Sequence, residues 1–113
     1  MQTLKPVKDG ATGLYVASHN GHLDVVKLLL EKNANIEASM KDGSTSLYIA
    51  SQNGHRDVVK LLLEKNANIE ASIKEDGTTS LYVASQNGHL DVVKLLLETK
   101  ANIKALGSEV AQV

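Results

Sequence analysis

The 113-residue chain has no cysteine, no phenylalanine and no tryptophan, and a single proline. Without cysteine there is no disulfide framework, no thiolate zinc site and no cysteine nucleophile. Three tyrosines are the whole aromatic complement. A core must therefore be built from Leu, Val, Ile and Ala. Neither sign of charge dominates, since 12 basic and 13 acidic residues leave a net charge of −1. No overall basic field exists to draw in nucleic acid. No apolar run approaches the roughly 20 residues of a membrane-spanning helix, so no membrane association is expected. Residues 1–6 carry no apolar stretch of the kind a secretory leader needs. An intracellular, cytoplasmic location is the expectation. The length allows one small domain.

What the chain does have is repetition. Leu14-Tyr15-Val16-Ala17-Ser18 returns as Leu47-Tyr48-Ile49-Ala50-Ser51 and as Leu81-Tyr82-Val83-Ala84-Ser85. The intervals are 33 and 34 residues, with the extra residue near Lys74 or Glu75. Residues 9–41 and 42–74 differ only at Ala11/Ser44, Gly13/Ser46, Val16/Ile49, His19/Gln52, Leu23/Arg56 and Met40/Ile73. A period of this size marks a stack of small supersecondary units. The expected division is a lead-in at 1–8, repeats at 9–41, 42–75 and 76–104, and a tail at 105–113.

Each unit reads as helix, turn, helix and hairpin. Thr45 is a suitable N-cap for a first helix over residues 46–53. Gly54 follows where a left-handed turn should end it. A second helix begins near Asp57, an acid suited to a helix N-terminus. Its polar residues Asp57, Lys60 and Glu64 form one narrow stripe, and the rest of its circumference is apolar. Such a helix needs cover on several sides, which only neighbouring units can give. Ala50 and Ser51 are small enough for helices to approach closely.

The period, with Asp-Gly-x-Thr-x-Leu-x-x-Ala and then Gly-His-x-x-Val-Val-x-Leu-Leu-Leu, resembles the ankyrin repeat from about Asp9 to Lys104. The resemblance implies an all-α solenoid of stacked helix-turn-helix units with protruding hairpin loops. It also implies protein binding as a scaffold, with no catalysis and no cofactor. The sequence departs from the family at two places. Thr-Pro-Leu-His becomes Thr12-Gly13-Leu14-Tyr15, Thr45-Ser46-Leu47-Tyr48 and Thr79-Ser80-Leu81-Tyr82, which gives up a proline that preorganises the helix start. Gly-Ala-Asp-Val-Asn becomes Asn33-Ala34-Asn35-Ile36-Glu37 and Asn66-Ala67-Asn68-Ile69-Glu70. Asn tolerates a left-handed cap second best after Gly. Lys100 occupies that place in the third unit and suits it poorly, so this end is expected to be the less stable one.

His22, His55 and His89 recur once per unit. Packed helices lie roughly 8–10 Å apart, while zinc holds each imidazole at about 2.0–2.1 Å. The ladder therefore cannot share an ion and reads as structural; His19, three residues before His22, adds only a weak pair. Catalytic signatures are missing: there is no Gly-x-Ser-x-Gly elbow, no phosphate loop and no His-Glu-x-x-His. Asp24, Asp57 and Asp91 read as helix N-terminal charges, and the repeated glycines as turn residues.

Carried over from the family, the binding face comprises hairpin tips and first-helix ends on the concave side. Hairpin candidates are Lys8, Asp9 and Ala11, then Lys41, Asp42 and Ser44, then Glu75, Asp76 and Thr78. First-helix candidates are His19 and Asn20, Gln52 and Asn53, Gln86 and Asn87. None is Trp, Tyr or Arg, the types enriched at binding hot spots, so modest affinity is expected. Arg56, where Leu23 and Leu90 stand in the other units, reads as an edge substitution whose stem covers apolar surface. The first and third units keep apolar outer walls with no specialised cap. Two explanations remain open: a segment of a longer array, or a homo-oligomer through the uncapped terminal repeats. Repetition of the chain's own deviations suggests tandem duplication, with no sign of variation concentrated at contact positions.

Overall fold

The computed structural model describes residues 12–112, with side chains through Lys100 and at Ile103. Six helices follow one another: α1 (Gly13–Asn20), α2 (Leu23–Glu31), α3 (Ser46–Gln52), α4 (Arg56–Glu64), α5 (Ser80–Gln86) and α6 (Leu90–Gln112). Consecutive pairs form three hairpins of helices. These stack so that α1, α3 and α5 make one layer and α2, α4 and α6 the other. The first helices pack more intimately with one another than the second helices do, which curves the stack toward the first layer. The architecture is all-α.

Threonine starts each first helix. The Oγ1 atoms of Thr12, Thr45 and Thr79 accept from the backbone N–H of Tyr15, Tyr48 and Tyr82 at 3.2, 3.2 and 3.3 Å. Each cap is worth about 1 kcal/mol. The turn after each first helix closes at Gly21, Gly54 or Gly88, all with φ near +72°. The second helices begin without any side-chain cap at His22 or His55. Instead Asp24, Asp57 and Asp91 sit in their first turns, where the helix dipole favours an anion.

α2 and α4 stop at asparagine. Asn33 and Asn66 take φ of 67°, and the next N–H groups, of Ala34 and Ala67, return to the carbonyls of Leu29 and Leu62 at 3.0 Å. This satisfies carbonyls that a helix end would otherwise orphan. α6 behaves differently. At Lys100 a left-handed turn would cost about 1–2 kcal/mol, and Lys and Ala are good helix formers. The helix runs on to Gln112. It therefore passes Lys104 without a break.

Two short hairpins link the repeats. Each holds one isolated bridge, Ser39 to Thr45 and Ser72 to Thr79. In the first, Gly43 N–H closes onto the Met40 carbonyl at 2.9 Å; in the second, Gly77 N–H closes onto Ile73 at 2.8 Å. The inserted residue therefore enlarges the turn by one position and leaves the bridge intact. Lys74 N–H donates to the Asp42 carbonyl at 2.8 Å, which stacks one hairpin on the other.

The core is aliphatic. Leu14, Leu47, Val59, Leu62, Val92 and Leu96 are fully buried or nearly so, with Ala17, Ala50 and Ala84 between the first helices. Ser18 and Ser51 are buried there too. Asp57, Lys60 and Glu64 are exposed, as the stripe on α4 predicts. No helix among the described residues is long and apolar enough to cross a membrane.

Candidate functional site

The repeats are joined by polar clasps at the ends of the first helices. The His19 carbonyl accepts from Asn53 Nδ2 and from His55 Nε2, each at 2.9 Å. One repeat later, the Gln52 carbonyl accepts from Asn87 Nδ2 at 3.0 Å and His89 Nε2 at 2.8 Å. A carbonyl only accepts, so Nε2 carries the proton in both imidazoles. The rings lie flat against the preceding turn: a Cβ at Gly21 would come within 2.6 Å of the His55 ring, and one at Gly54 equally near His89. These glycines serve both the positive φ and the close approach. His55 and His89 thus bond the repeats together, while His22 is exposed; among the described residues no group of three or more His, Cys, Asp or Glu residues is placed to hold a metal.

The tyrosines form a second clasp. Tyr15 OH lies 3.0 Å from Ser44 Oγ, and Tyr48 OH lies 3.3 Å from Thr78 Oγ1. Burial pushes the Tyr15 hydroxyl above its ordinary value, with the Asp42 charge reinforcing and the Ser44 bond opposing. Tyr82 has no described repeat above it and is exposed. The aspartates shape the hairpin tips. Asp42 Oδ1 accepts from Ser44 N–H at 2.9 Å. Asp76 Oδ1 accepts from Thr78 N–H at 3.1 Å and from its hydroxyl at 2.9 Å, and these bonds hold its carboxyl below the ordinary carboxylate range.

The expected binding residues therefore divide. Ser44, Thr78, Asn53 and Asn87 spend their polar groups within the stack. Gln52 gives its carbonyl to the clasp and is half-buried. Lys41, Asp42, Glu75 and Asp76 are exposed on the stacked hairpins, and His19, Asn20 and Gln86 are exposed along the first-helix ends. Lys8, Asp9 and Ala11 lie outside the described residues. Arg56 is exposed in a hollow with Gly21, Leu23, Asp57 and Asp91.

A family model described as ankyrin repeats (3 copies) matches residues 2–73 and again 41–106. The chain belongs to the ankyrin-repeat family. Ankyrin repeats are generally protein–protein interaction modules. A search of curated proteins finds no match.

Within the ankyrin stack, sequence reasoning did not identify the reach of Asn53, Asn87, His55 and His89 to the preceding repeat. A signal was present: Asn-Gly-His recurs unchanged at 20–22, 53–55 and 87–89, while the preceding residue varies among His19, Gln52 and Gln86. Glu37 and Glu70 also reach across to the following repeat. Glu37 Oε2 accepts from Asn68 N–H at 2.7 Å. Glu70 instead pairs with Lys100 Nζ at 3.1 Å, because its corresponding loop is helix.

Proposed function

We propose that this chain is a noncatalytic ankyrin module that holds a protein partner on the face made by its hairpin tips and first-helix ends. The observation that carries the reading is the division of labour on that face. Asn53, Asn87, Ser44 and Thr78 lock consecutive repeats together, and the exposed side chains project from a backbone held in register. A preorganised platform lowers the ordering cost of binding. The exposed members carry both signs of charge, Lys41 beside Asp42 and Glu75 beside Asp76. They suit a polar partner surface and favour specificity over raw affinity.

The test is affinity capture with the chain and with a Lys41→Glu, Glu75→Lys, Gln86→Ala variant. All three side chains are exposed, so circular dichroism and melting should not change. The partner captured by the parent chain should be lost from the variant. Equal capture by both would count against this face.

A further inference from the structure

The two outer faces of the stack are the two halves of the joint that operates twice inside it. On the α5–α6 side, Gln86 holds the place of His19 and Gln52, whose carbonyls accept the clasps. Gly88 has the same left-handed backbone as Gly21 and Gly54, yet among the described residues nothing lies within 4 Å of a Cβ built there. Tyr82 and Leu90 are 57% and 66% exposed, and Leu97 is also open. Ser85 is exposed, where Ser18 and Ser51 are sealed.

The α1–α2 side carries the matching half. Asn20 and His22 hold the places of the clasping Asn53 and His55, and both are exposed. Val25 is 47% exposed, where its counterpart Val58 is 1%. Val16 and Leu28 are likewise open. One outer face thus presents a donor pair and an aliphatic wall; the other presents an acceptor, an empty glycine seat and a second apolar wall.

We propose that the chain stacks head to tail on a second copy, with Asn20 and His22 of one molecule donating to the Gln86 carbonyl of the next and the imidazole seated on Gly88. Val16, Val25 and Leu28 would then cover Tyr82, Ser85 and Leu97 as their counterparts do at the internal joints. The inference extends past partner binding on the concave face, because it uses the end faces and none of the hairpin tips. The tyrosine clasp has no partner at this joint: the residue in sequence register with Ser44 and Thr78 is Ala11, which has no hydroxyl. The intermolecular joint is therefore weaker than the internal ones and reversible. Its two surfaces differ, so the contact is heterologous, and because it repeats the step between repeats inside the stack it extends the stack into open chains.

Sedimentation of the 113-residue chain over a wide concentration series tests this. The weight-average mass should climb past the dimer without a plateau. Val25→Glu and Leu97→Glu should each confine the chain to monomer, with little change in circular dichroism because both residues are about half exposed. Mixing the two variants should restore a one-to-one pair, since each retains the face the other has lost. His22→Ala, outside the apolar walls, should weaken growth and serves if a glutamate variant does not fold. A parent chain that stays monomeric, including through cover of the α1–α2 face by residues 1–11, would overturn the proposal. So would dimerisation of either variant alone, which would indicate like faces pairing.

Discussion

Gly54 and Gly88 occupy the same place in consecutive repeats and share a left-handed backbone, yet their surroundings have little in common. Gly54 carries the ring of His89 against it; Gly88 has no described residue against it. The same contrast runs through the whole joint. Tyr48 reaches Thr78 while Tyr82 is exposed, and Ser51 is sealed while Ser85 is not. Near-identical sequence therefore yields two kinds of surface, and what decides between them is whether another repeat is stacked above. In a solenoid of this kind, stability resides in interfaces between neighbours more than in any single unit.

The largest contrast should come from the glycines. Gly54→Ala meets both the left-handed penalty of about 1–2 kcal/mol and a clash with the His89 ring, for which overpacking typically adds about 1–3 kcal/mol. Gly88→Ala meets only the first. Urea denaturation should separate the two variants clearly, with Gly54→Ala the weaker; equal losses would remove the ring contact from the account. Next come the tyrosines. Tyr48→Phe deletes a hydrogen bond worth about 1 kcal/mol, whereas Tyr82→Phe should leave the midpoint where it was.

Ser51 sharpens the comparison from the opposite direction. Its hydroxyl is buried without a partner, and an unsatisfied buried group costs about 1–3 kcal/mol. Ser51→Ala should raise stability by about 1 kcal/mol, and Ser85→Ala, on the open face, should change little. The smallest effects are those of pH. The Tyr15 hydroxyl titrates above its ordinary value of 10.0 when folded, so the unfolded chain loses that proton first and stability falls as pH rises past that point. Tyr15→Phe should flatten the alkaline decline. The Asp76 carboxyl lies below its ordinary value of 3.8. Its contribution is present above that value and is lost as pH falls through the folded one, and Asp76→Asn should remove this acid sensitivity.

Much of this arrangement is legible in the sequence because each local signal has a single physical meaning. Thr45 caps, Gly54 turns, and the Asp57, Lys60 and Glu64 stripe leaves the remaining circumference apolar; all three are found where the pattern puts them. Asn33 and Asn66 end their helices in the conformation that asparagine tolerates. The substitution of Lys100 was visible too, but its consequence was not. A poor cap can fray a helix or let it continue, and the good helix formers beyond Lys100 decide for continuation to Gln112. The face of the stack was harder to read. Asn53 and Asn87 look like exposed binding residues because their partner is a backbone carbonyl more than thirty residues away, and a backbone carbonyl leaves no mark in a sequence. Ser44 and Thr78 are hidden by distance instead, since each answers a tyrosine hydroxyl 29 or 30 residues earlier in the chain.

The most direct test of the joint compares two histidines with the same neighbours, Asn-Gly before and an Asp two residues after. His89 clasps the Gln52 carbonyl; His22 is exposed at the outer face. Unfolding free energies of His22→Ala and His89→Ala, measured by urea denaturation in dilute solution, should diverge. His89→Ala should lose about 1 kcal/mol or more, since a part-buried acceptor loses one of its two donors and the Gly54 seat loses its ring, and His22→Ala should lose almost none. Equal losses at the two positions would contradict it.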